Sequence, residues 1–178
     1  MSDTSVAKRY AVALFEIAKE QNLLDSIEEE LRAVKEVFST NNELQTFLQH
    51  PKVSAEAKRQ LIDEAFANLS SQVKNTLLLM TDRHRTDVIS QMAASFIELA
   101  NEENSVADAF VYSVRPLTDN EREAVSSAFA AKVGKRTLRI ENIVDRSVLG
   151  GIKLRIGNRI FDGSVSGKLE RLERGLLG

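Results

Sequence analysis

Residues 99–115 read LANEENSVADAFVYSVR, and within this stretch the spacing of apolar residues changes. Upstream, apolar side chains recur every three or four residues, a spacing that places them on one face of an α-helix. Downstream, the segment from Val106 to Arg115 is rich in valine and aromatic residues, which favour a β-strand. The stretch therefore predicts a domain boundary, with a helical domain over residues 1–105 and a second domain over residues 106–178.

Six helices are predicted upstream of this boundary. The second shows the pattern most clearly, with one apolar stripe made of Leu24, Ile27, Leu31, Val34 and Phe38. The other five are predicted to begin at polar residues that commonly cap helices, namely Ser5, Asn41 or Asn42, Ser54, Ser70 and Thr86. The links between these helices are short, which favours a compact bundle.

The downstream domain mixes helices and strands. Thr118 and Glu121 have the spacing of a capping box, which predicts a helix that ends at Gly134. Alternating residues over 137–144 and 152–156 predict strands, and the second strand turns back through 157–158 into a third. A last helix follows Gly163, with one apolar face made of Val165, Leu169, Leu172 and Leu176. The expected fold is α+β overall, with a six-helix bundle followed by a small α/β domain.

The side chains that enzymes use most often for chemistry are scarce. The chain has no cysteine and two histidines, which excludes disulfides, thiolate nucleophiles and cysteine-based zinc sites. His50 and His84 fall in different predicted loops, so a solvated position is the favoured interpretation for both. We therefore expect a protein that is not an enzyme, with no catalytic, cofactor-binding or metal-binding residues.

One segment resembles a phosphate-binding loop, namely Gly163 to Lys168, which reads GSVSGK. A P-loop needs four residues between its glycines and a serine or threonine after the lysine. Here three residues intervene and Leu169 follows the lysine, so the sequence favours Ser164 as a cap of the last helix. Gly150 and Gly151 lack dinucleotide-binding spacing, and a tight turn before the strand at Ile152 explains them.

The net charge of −2 conceals two halves of opposite sign. Residues 1–105 carry 11 Lys and Arg against 17 Asp and Glu, and residues 106–178 carry 13 against 9. The two halves thus differ in charge, −6 against +4, which suggests different partners. The positive half lacks a dense basic stripe, so we expect no nucleic-acid binding, although a regulator that binds DNA through residues 106–178 remains an alternative.

More apolar surface is present than a small bundle needs. In the first helix, Val6, Tyr10, Ala13, Leu14 and Ile17 share a face, whereas Val12 and Phe15 fall outside its centre. The fifth helix contains Leu77-Leu78-Leu79-Met80, which is apolar all round. Such a helix either lies centrally in the bundle or offers a second face to a partner. A partner-binding groove between the first and fifth helices is the functional hypothesis.

Two segments resemble one protein family. The start, VAKRYAVALF over residues 6–15, is similar to the opening of delta subunits of bacterial ATP synthases and of the mitochondrial oligomycin-sensitivity-conferring protein. The end, VDRSVLGGIKLRIG over residues 144–157 followed by DGSVSGKL over residues 162–169, is similar to the C-terminal signature of that family. The signature residues carried over are Asp145, Leu149, Gly150, Gly151, Gly157, Asp162 and Gly163.

The resemblance implies a stator subunit of the rotary, proton-translocating ATP synthase. It implies that residues 1–105 bind the N-terminal helices of the α subunits and that residues 106–178 bind the C-terminal end of the b-subunit peripheral stalk. Contact with β subunits is left open, and the chain is expected to be a monomer within the hetero-oligomer. The α-binding residues implied on this sequence are Val6, Tyr10, Ala13, Leu14, Ile17, Thr76, Leu79 and Arg83.

The resemblance also implies a location, at the cytoplasmic face of the bacterial cell membrane. No run of about 18 apolar residues occurs, so we expect peripheral association with no direct membrane insertion. The N-terminus lacks the features of a signal or transit peptide, which favours a bacterial over an organellar protein. A nucleotide-binding protein that uses residues 163–168 is a further alternative to the stator hypothesis.

Overall fold

The computed structural model describes residues 3–177, and it describes all of their side chains except those of residues 3, 170, 171 and 175–177. The chain divides into two compact units, Met1–Ala100 and Asn101–Gly178. This division falls slightly before the boundary expected after Ser105. The reason is that the Asn101 side-chain amide, in the last turn of a helix, donates a hydrogen bond of 3.1 Å to the Asp108 carboxylate in the following strand.

The elements confirm the predicted α+β fold. The helices are α1 (Asp3–Glu20), α2 (Leu24–Thr40), α3 (Asn42–Gln49), α4 (Ala55–Ala65), α5 (Ser71–Asp82), α6 (Ile89–Glu103), α7 (Asp119–Ala130) and α8 (Val165–Leu177). The strands are β1 (Val106–Ser113), β2 (Thr137–Val144), β3 (Ile152–Ile156) and β4 (Arg159–Asp162). Short 3₁₀ turns at Thr86–Val88 and Ala131–Val133 precede α6 and follow α7.

Two of the predicted helix caps are confirmed by hydrogen bonds. The Asn41 side chain accepts from the Leu44 amide at 2.9 Å, and the Ser54 hydroxyl accepts from the Ala57 amide at 3.2 Å. Ser5 was predicted wrongly, because α1 begins at Asp3 and Ser5 lies inside it. Thr86 begins a 3₁₀ turn that leads into α6.

The start of α5 is capped differently from the prediction. Ser70 holds the N-cap position, but its hydroxyl donates to a carboxylate oxygen of Glu30 at 2.6 Å. The Ser70 backbone amide donates to the same oxygen at 3.0 Å. Glu30 lies in α2, so a carboxylate from a neighbouring helix satisfies this helix start and complements its positive end.

The first unit packs around large apolar side chains from all six helices. Phe96 is fully buried and meets Phe15 edge to face, with ring centroids 6.1 Å apart. Truncating such a buried phenylalanine to alanine costs about 3–5 kcal/mol of unfolding free energy. Helix α5 contacts α1, α2 and α4, which explains why it is apolar on several sides.

The inward face of α1 differs from the predicted one. Its buried residues are Ala7, Ala11, Leu14, Phe15 and Ala18. The prediction placed Phe15 outside the apolar centre, but Phe15 is in the core and only 8% exposed. The alanines explain the shift: with small side chains along this face, the α1 backbone can approach its neighbours closely, and the bulkier residues beside them are left at the edge.

The second unit is a four-stranded sheet in the order β2-β1-β3-β4. β1 pairs with β2 in parallel, and the β1–β3 and β3–β4 pairs are antiparallel. Helix α7 connects the parallel pair and covers one face of the sheet, where Val111 and Leu154 are fully buried. The predicted capping box of α7 is present at Thr118 and Glu121, and the left-handed Gly134 ends the 3₁₀ turn that follows α7.

Candidate partner-binding surfaces

A groove runs between α1 and the C-terminal half of α5. Its volume is about 630 Å³, and it is lined by Val6, Arg9, Tyr10, Ala13, Leu79, Arg83 and Arg85. Leu79 is 47% exposed, although its neighbours Leu77 and Met80 are fully buried. An aliphatic side chain exposed to this extent beside a buried core is an anchor that a partner can cover.

The groove contains five of the eight residues predicted for partner binding: Val6, Tyr10, Ala13, Leu79 and Arg83. The other three lie elsewhere. Leu14 belongs to the core at 1% exposed, so it supports α1 from the inside and offers no surface to a partner. Ile17 is 42% exposed but does not line the groove, and the Thr76 hydroxyl donates to the Gln72 carbonyl at 2.8 Å within α5.

Sequence reasoning missed two of the lining residues, Arg9 and Arg85. The search followed apolar spacing, and a cation next to an apolar stripe is easily taken for solvated surface. Arg9 directly precedes Tyr10 and lies four residues before Ala13, which is the signal that could have found it. Arg85 follows the end of α5 and is placed by a backbone bond from its amide to the Met80 carbonyl at 2.8 Å.

Together with Arg83, these residues give the groove three guanidinium groups. None of the three forms an ion pair with a described residue. The groove therefore combines an apolar floor with cationic edges, although the surrounding half of the chain is acidic overall. A surface of this kind complements an amphipathic helix that carries carboxylates beside its apolar face.

Helix α5 is held in place at both ends, which fixes the position of Leu79. At its start, the Glu30 carboxylate binds Ser70, as described above. Further along, the Lys74 amine lies 2.7 Å from the Asp63 carboxylate, and the Arg59 guanidinium lies 3.3 Å from the Asp82 carboxylate. Both ion pairs are partly exposed, so each contributes only about 0–1 kcal/mol, and they serve mainly to set the register of α5 against α4.

The C-terminal signature residues form a compact joint between β2, β3 and α8. The Asp145 carboxylate accepts from the Ser147 amide at 2.9 Å, and hydrogen bonds from the Ser147 hydroxyl and amide lower the pKa of Asp145. The Val165 amide donates to the Gly150 carbonyl at 2.9 Å, and the Gly163 amide donates to the Ile152 carbonyl at 3.0 Å. The first turn of α8 is thereby tied to the β3 strand and to the loop before it, over residues 145–151.

Two of the signature glycines are required by backbone geometry. Gly151 has a φ of +78°, and a Cβ placed on it would lie 2.5 Å from the Gly163 carbonyl oxygen. Gly157, in the β3–β4 turn, has a φ of +54°, but a Cβ there would have open space around it. Leu149 is the exception among the signature residues, since it is 76% exposed and stabilises no core.

The start of α8 is occupied by a carboxylate of the protein itself. Asp162 accepts from the Ser164 amide at 2.9 Å and from the Ser164 hydroxyl at 2.6 Å. The same hydroxyl accepts from the Gly167 amide at 3.0 Å, which confirms Ser164 as the helix cap. A phosphate at this position would meet Asp162, so the geometry disfavours nucleotide binding at residues 163–168.

The remaining chemistry-bearing residues are dispersed. His50 and His84 lie in exposed loops, as predicted. Within residues 3–177, no group of three or more His, Asp or Glu side chains is placed to hold a metal ion. Within the same range, none of the helices combines the length and the apolar character needed to cross a membrane.

Comparison with known sequences identifies one family. The sequence profile of the ATP synthase delta (OSCP) subunit matches residues 6–176. ATP synthase subunit delta of Anoxybacillus flavithermus (strain DSM 21510 / WK1) is 58% identical over 176 residues, which cover 99% of each chain. ATP synthase subunit delta of Geobacillus sp. (strain WCH70) is 57% identical over 178 residues, which cover all of both chains.

Comparison with solved structures supports the fold. A chain of the Toxoplasma gondii mitochondrial ATP synthase hexamer, determined by cryo-electron microscopy, superposes with a TM-score of 0.69. The match covers 97% of each chain at 22% sequence identity. The same arrangement of a helical part and a mixed part is therefore compatible with very different sequences.

Proposed function

This chain belongs to the ATP synthase delta (OSCP) subunit family, a component of the peripheral stalk of that enzyme, and we propose that it acts there as a non-catalytic connector. The observation that carries the proposal is the groove between α1 and α5. It is apolar, it is rimmed by arginines, and it contains no group of residues suited to bond-breaking chemistry. Such a surface binds a helix and performs no reaction.

On this proposal, the groove holds an N-terminal helix of an α subunit. The half-exposed Leu79 supplies an aliphatic anchor, and Ala13 leaves space for a second helix to approach α1. Arg9, Arg83 and Arg85 then face carboxylates on the incoming helix. Most of the affinity comes from the buried apolar anchors, and the charges set the register and the association rate.

The second unit attaches to the C-terminal end of the b-subunit stalk. Residues 106–178 carry a net charge of +4, opposite to the −6 of residues 1–105, which supports a different partner for each half. Holding the catalytic hexamer against the rotor demands attachments that persist under torque. Two moderate attachments joined through one chain achieve this, because once the first is made the second becomes effectively intramolecular.

The location follows from the same proposal. The chain sits at the cytoplasmic face of the membrane, attached through the stalk and the catalytic subunits. It needs no membrane-spanning segment of its own.

The test is binding of the full chain to a synthetic peptide of the α N-terminal helix, measured by isothermal titration calorimetry. We expect Leu79→Glu and Ala13→Asp each to weaken binding at least tenfold, because each puts a carboxylate into the apolar floor. Leu172→Glu is the matched control, since Leu172 is also an exposed leucine but lies in the second unit. It should leave the affinity unchanged.

Circular dichroism of each variant checks that the bundle still folds. If folded Leu79→Glu and Ala13→Asp variants bind the peptide as tightly as the native chain does, the groove is not the α-binding site. If the native chain does not bind the peptide, the connector proposal itself fails. Equilibrium dialysis against ATP tests the nucleotide-binding alternative, which requires uptake that is lost on Lys168→Ala.

A further inference from the structure

Helix α8 presents an apolar face that its own unit leaves uncovered. Val165 is 46% exposed, Leu169 is 56% exposed and Leu172 is 63% exposed. None of these three residues joins the apolar core of the second unit, which lies between the sheet and α7. We call these three side chains the α8 seam. The apolar residue that continues the spacing, Leu176, has a side chain outside the described residues.

The spacing of the α8 seam specifies the kind of partner that fits it. The steps from 165 to 169 and from 169 to 172 are four and three residues, the alternation that forms the contact line of a coiled coil. A surface helix that packs on a globular core shows a wider apolar stripe than this. The narrow line is complementary to one other helix that carries apolar side chains at the same spacing.

The charges beside the seam add a second constraint. Lys168 and Glu173 are both exposed and occupy the two positions that flank the seam on opposite sides. In paired helices, the residues at these positions choose the partner through opposite charges. The partner helix therefore needs a carboxylate opposite Lys168 and a cation opposite Glu173. The +4 charge of residues 106–178 favours a partner that is acidic overall and disfavours a second copy of this unit.

The signature joint holds the seam in position. The first turn of α8 is fixed by Asp162, by the Ser164 cap and by the bond from the Val165 amide to Gly150. A Cβ on Gly150 would lie 3.2 Å from a methyl group of Val165, so the loop and the start of the seam are in direct contact. The joint therefore orders α8 without using its apolar face, and that face stays available.

We propose that the α8 seam is the surface that binds the stalk, and that its occupant is an acidic amphipathic helix at the C-terminal end of the b subunit. This inference rests on the proposed function, which supplies the stalk as a partner, and it adds the site and the form of the contact. Binding forms a two-helix contact along α8. The signature residues 145–163 act as positioning residues for α8, and most of them do not touch the stalk.

The experiment is titration of the full chain with a synthetic peptide of the C-terminal segment of the b subunit from the same synthase. Leu169→Glu and Leu172→Glu should each weaken binding at least tenfold, because each buries a carboxylate in the seam. Lys168→Glu should mainly slow association, which stopped-flow measurement at low salt detects. Leu79→Glu, in the other unit, is the matched control and should bind as the native chain does.

The outcomes separate the inference from the proposed function. If the peptide binds the native chain and binding survives both seam variants, the stalk docks elsewhere and the α8 inference is overturned, while the connector proposal stands. If the peptide does not bind the native chain, both fail for this unit. Sedimentation of the chain alone gives a third check: a dimer that Leu172→Glu dissolves would make a second copy the occupant and would overturn the inference.

Discussion

Carboxylates at helix starts recur in this protein at the scale of single residues. Glu30 caps α5 from a neighbouring helix, Glu121 caps α7 within its capping box, and Asp162 caps α8 from the preceding strand. In each case a negative group meets unpaired backbone amides at the positive end of a helix. Only the second was predicted, because a capping box lies within four residues whereas Glu30 and Ser70 are 40 residues apart.

The Glu121 carboxylate gives a pH-dependent prediction. Its pKa is lowered from 4.5 to about 2, first by the side-chain hydrogen bond from Arg115 and then by the Thr118 backbone amide. The Arg115 guanidinium donates two bonds to it, at 2.7 and 2.9 Å. Because the folded pKa lies below the unfolded value, the ionised cap stabilises the fold fully above about pH 4.5. That contribution is lost as the pH falls through about 2.

Carbon-detected NMR titration of the Glu121 carboxyl measures this directly. We expect a midpoint near pH 2 in the native chain, and a midpoint closer to 4.5 in Arg115→Gln, where the Thr118 bond remains. Glu121→Gln should remove the corresponding pH dependence of stability below pH 4.5. A native midpoint near 4.5 would contradict the bidentate contact.

The joint at the start of α8 sets the prediction at the scale of elements. Gly151→Ala combines a left-handed backbone with a methyl group 2.5 Å from the Gly163 carbonyl, so the loop and α8 must separate. We expect a loss of about 2–4 kcal/mol in the unfolding free energy of the second unit. Gly157→Ala is the control, since it has a similar φ but open space, and it should cost about 1 kcal/mol.

The two tyrosines make this measurement specific to each unit. Tyr10 lies in α1 and Tyr112 in β1, so their ring signals in NMR report the two units separately during urea unfolding. Gly151→Ala should lower the midpoint seen at Tyr112 and leave the one at Tyr10 unchanged. Equal effects of the two alanine substitutions on Tyr112 would show that the contact with Gly163 is not what matters.

Periodicity predicted which elements exist, and it failed to predict how distant ones pair. The strand over 137–144 and the turn at 157–158 lie where they were expected, because alternation and glycine act locally. The placement of β3 beside β1 was not predicted, since apolar alternation identifies a buried face but not a neighbouring strand. The groove was found through Leu79, but its arginines were not, because their role depends on the tertiary fold.

The whole molecule is expected to have two binding sites that do not influence one another. The groove lies in the first unit and the α8 seam in the second, and they share no residue. Sites without shared partners usually couple by less than about 0.5 kcal/mol. A chain saturated with the α peptide should therefore bind the b peptide with an affinity within about twofold of the free chain.

Titration of the b peptide into the chain, with and without saturating α peptide, measures this coupling. Competition between the two peptides would show that they share one surface, and it would contradict the assignment of one partner to each unit. Strong cooperativity would show a linked change in both units. Independent binding is the behaviour that a passive connector requires.

The position of β1 has a consequence for how the chain is made on the ribosome. β1 is the first strand to emerge, yet it lies inside the sheet, with β2 on one edge and β3 on the other. Both of its hydrogen-bonding edges lack partners until residues 137–144 and 152–156 have been translated. The first unit is fully translated before β1 appears, so for that interval β1 is an open template attached to a finished bundle, and nascent chains that emerge close together are most exposed to strand exchange then.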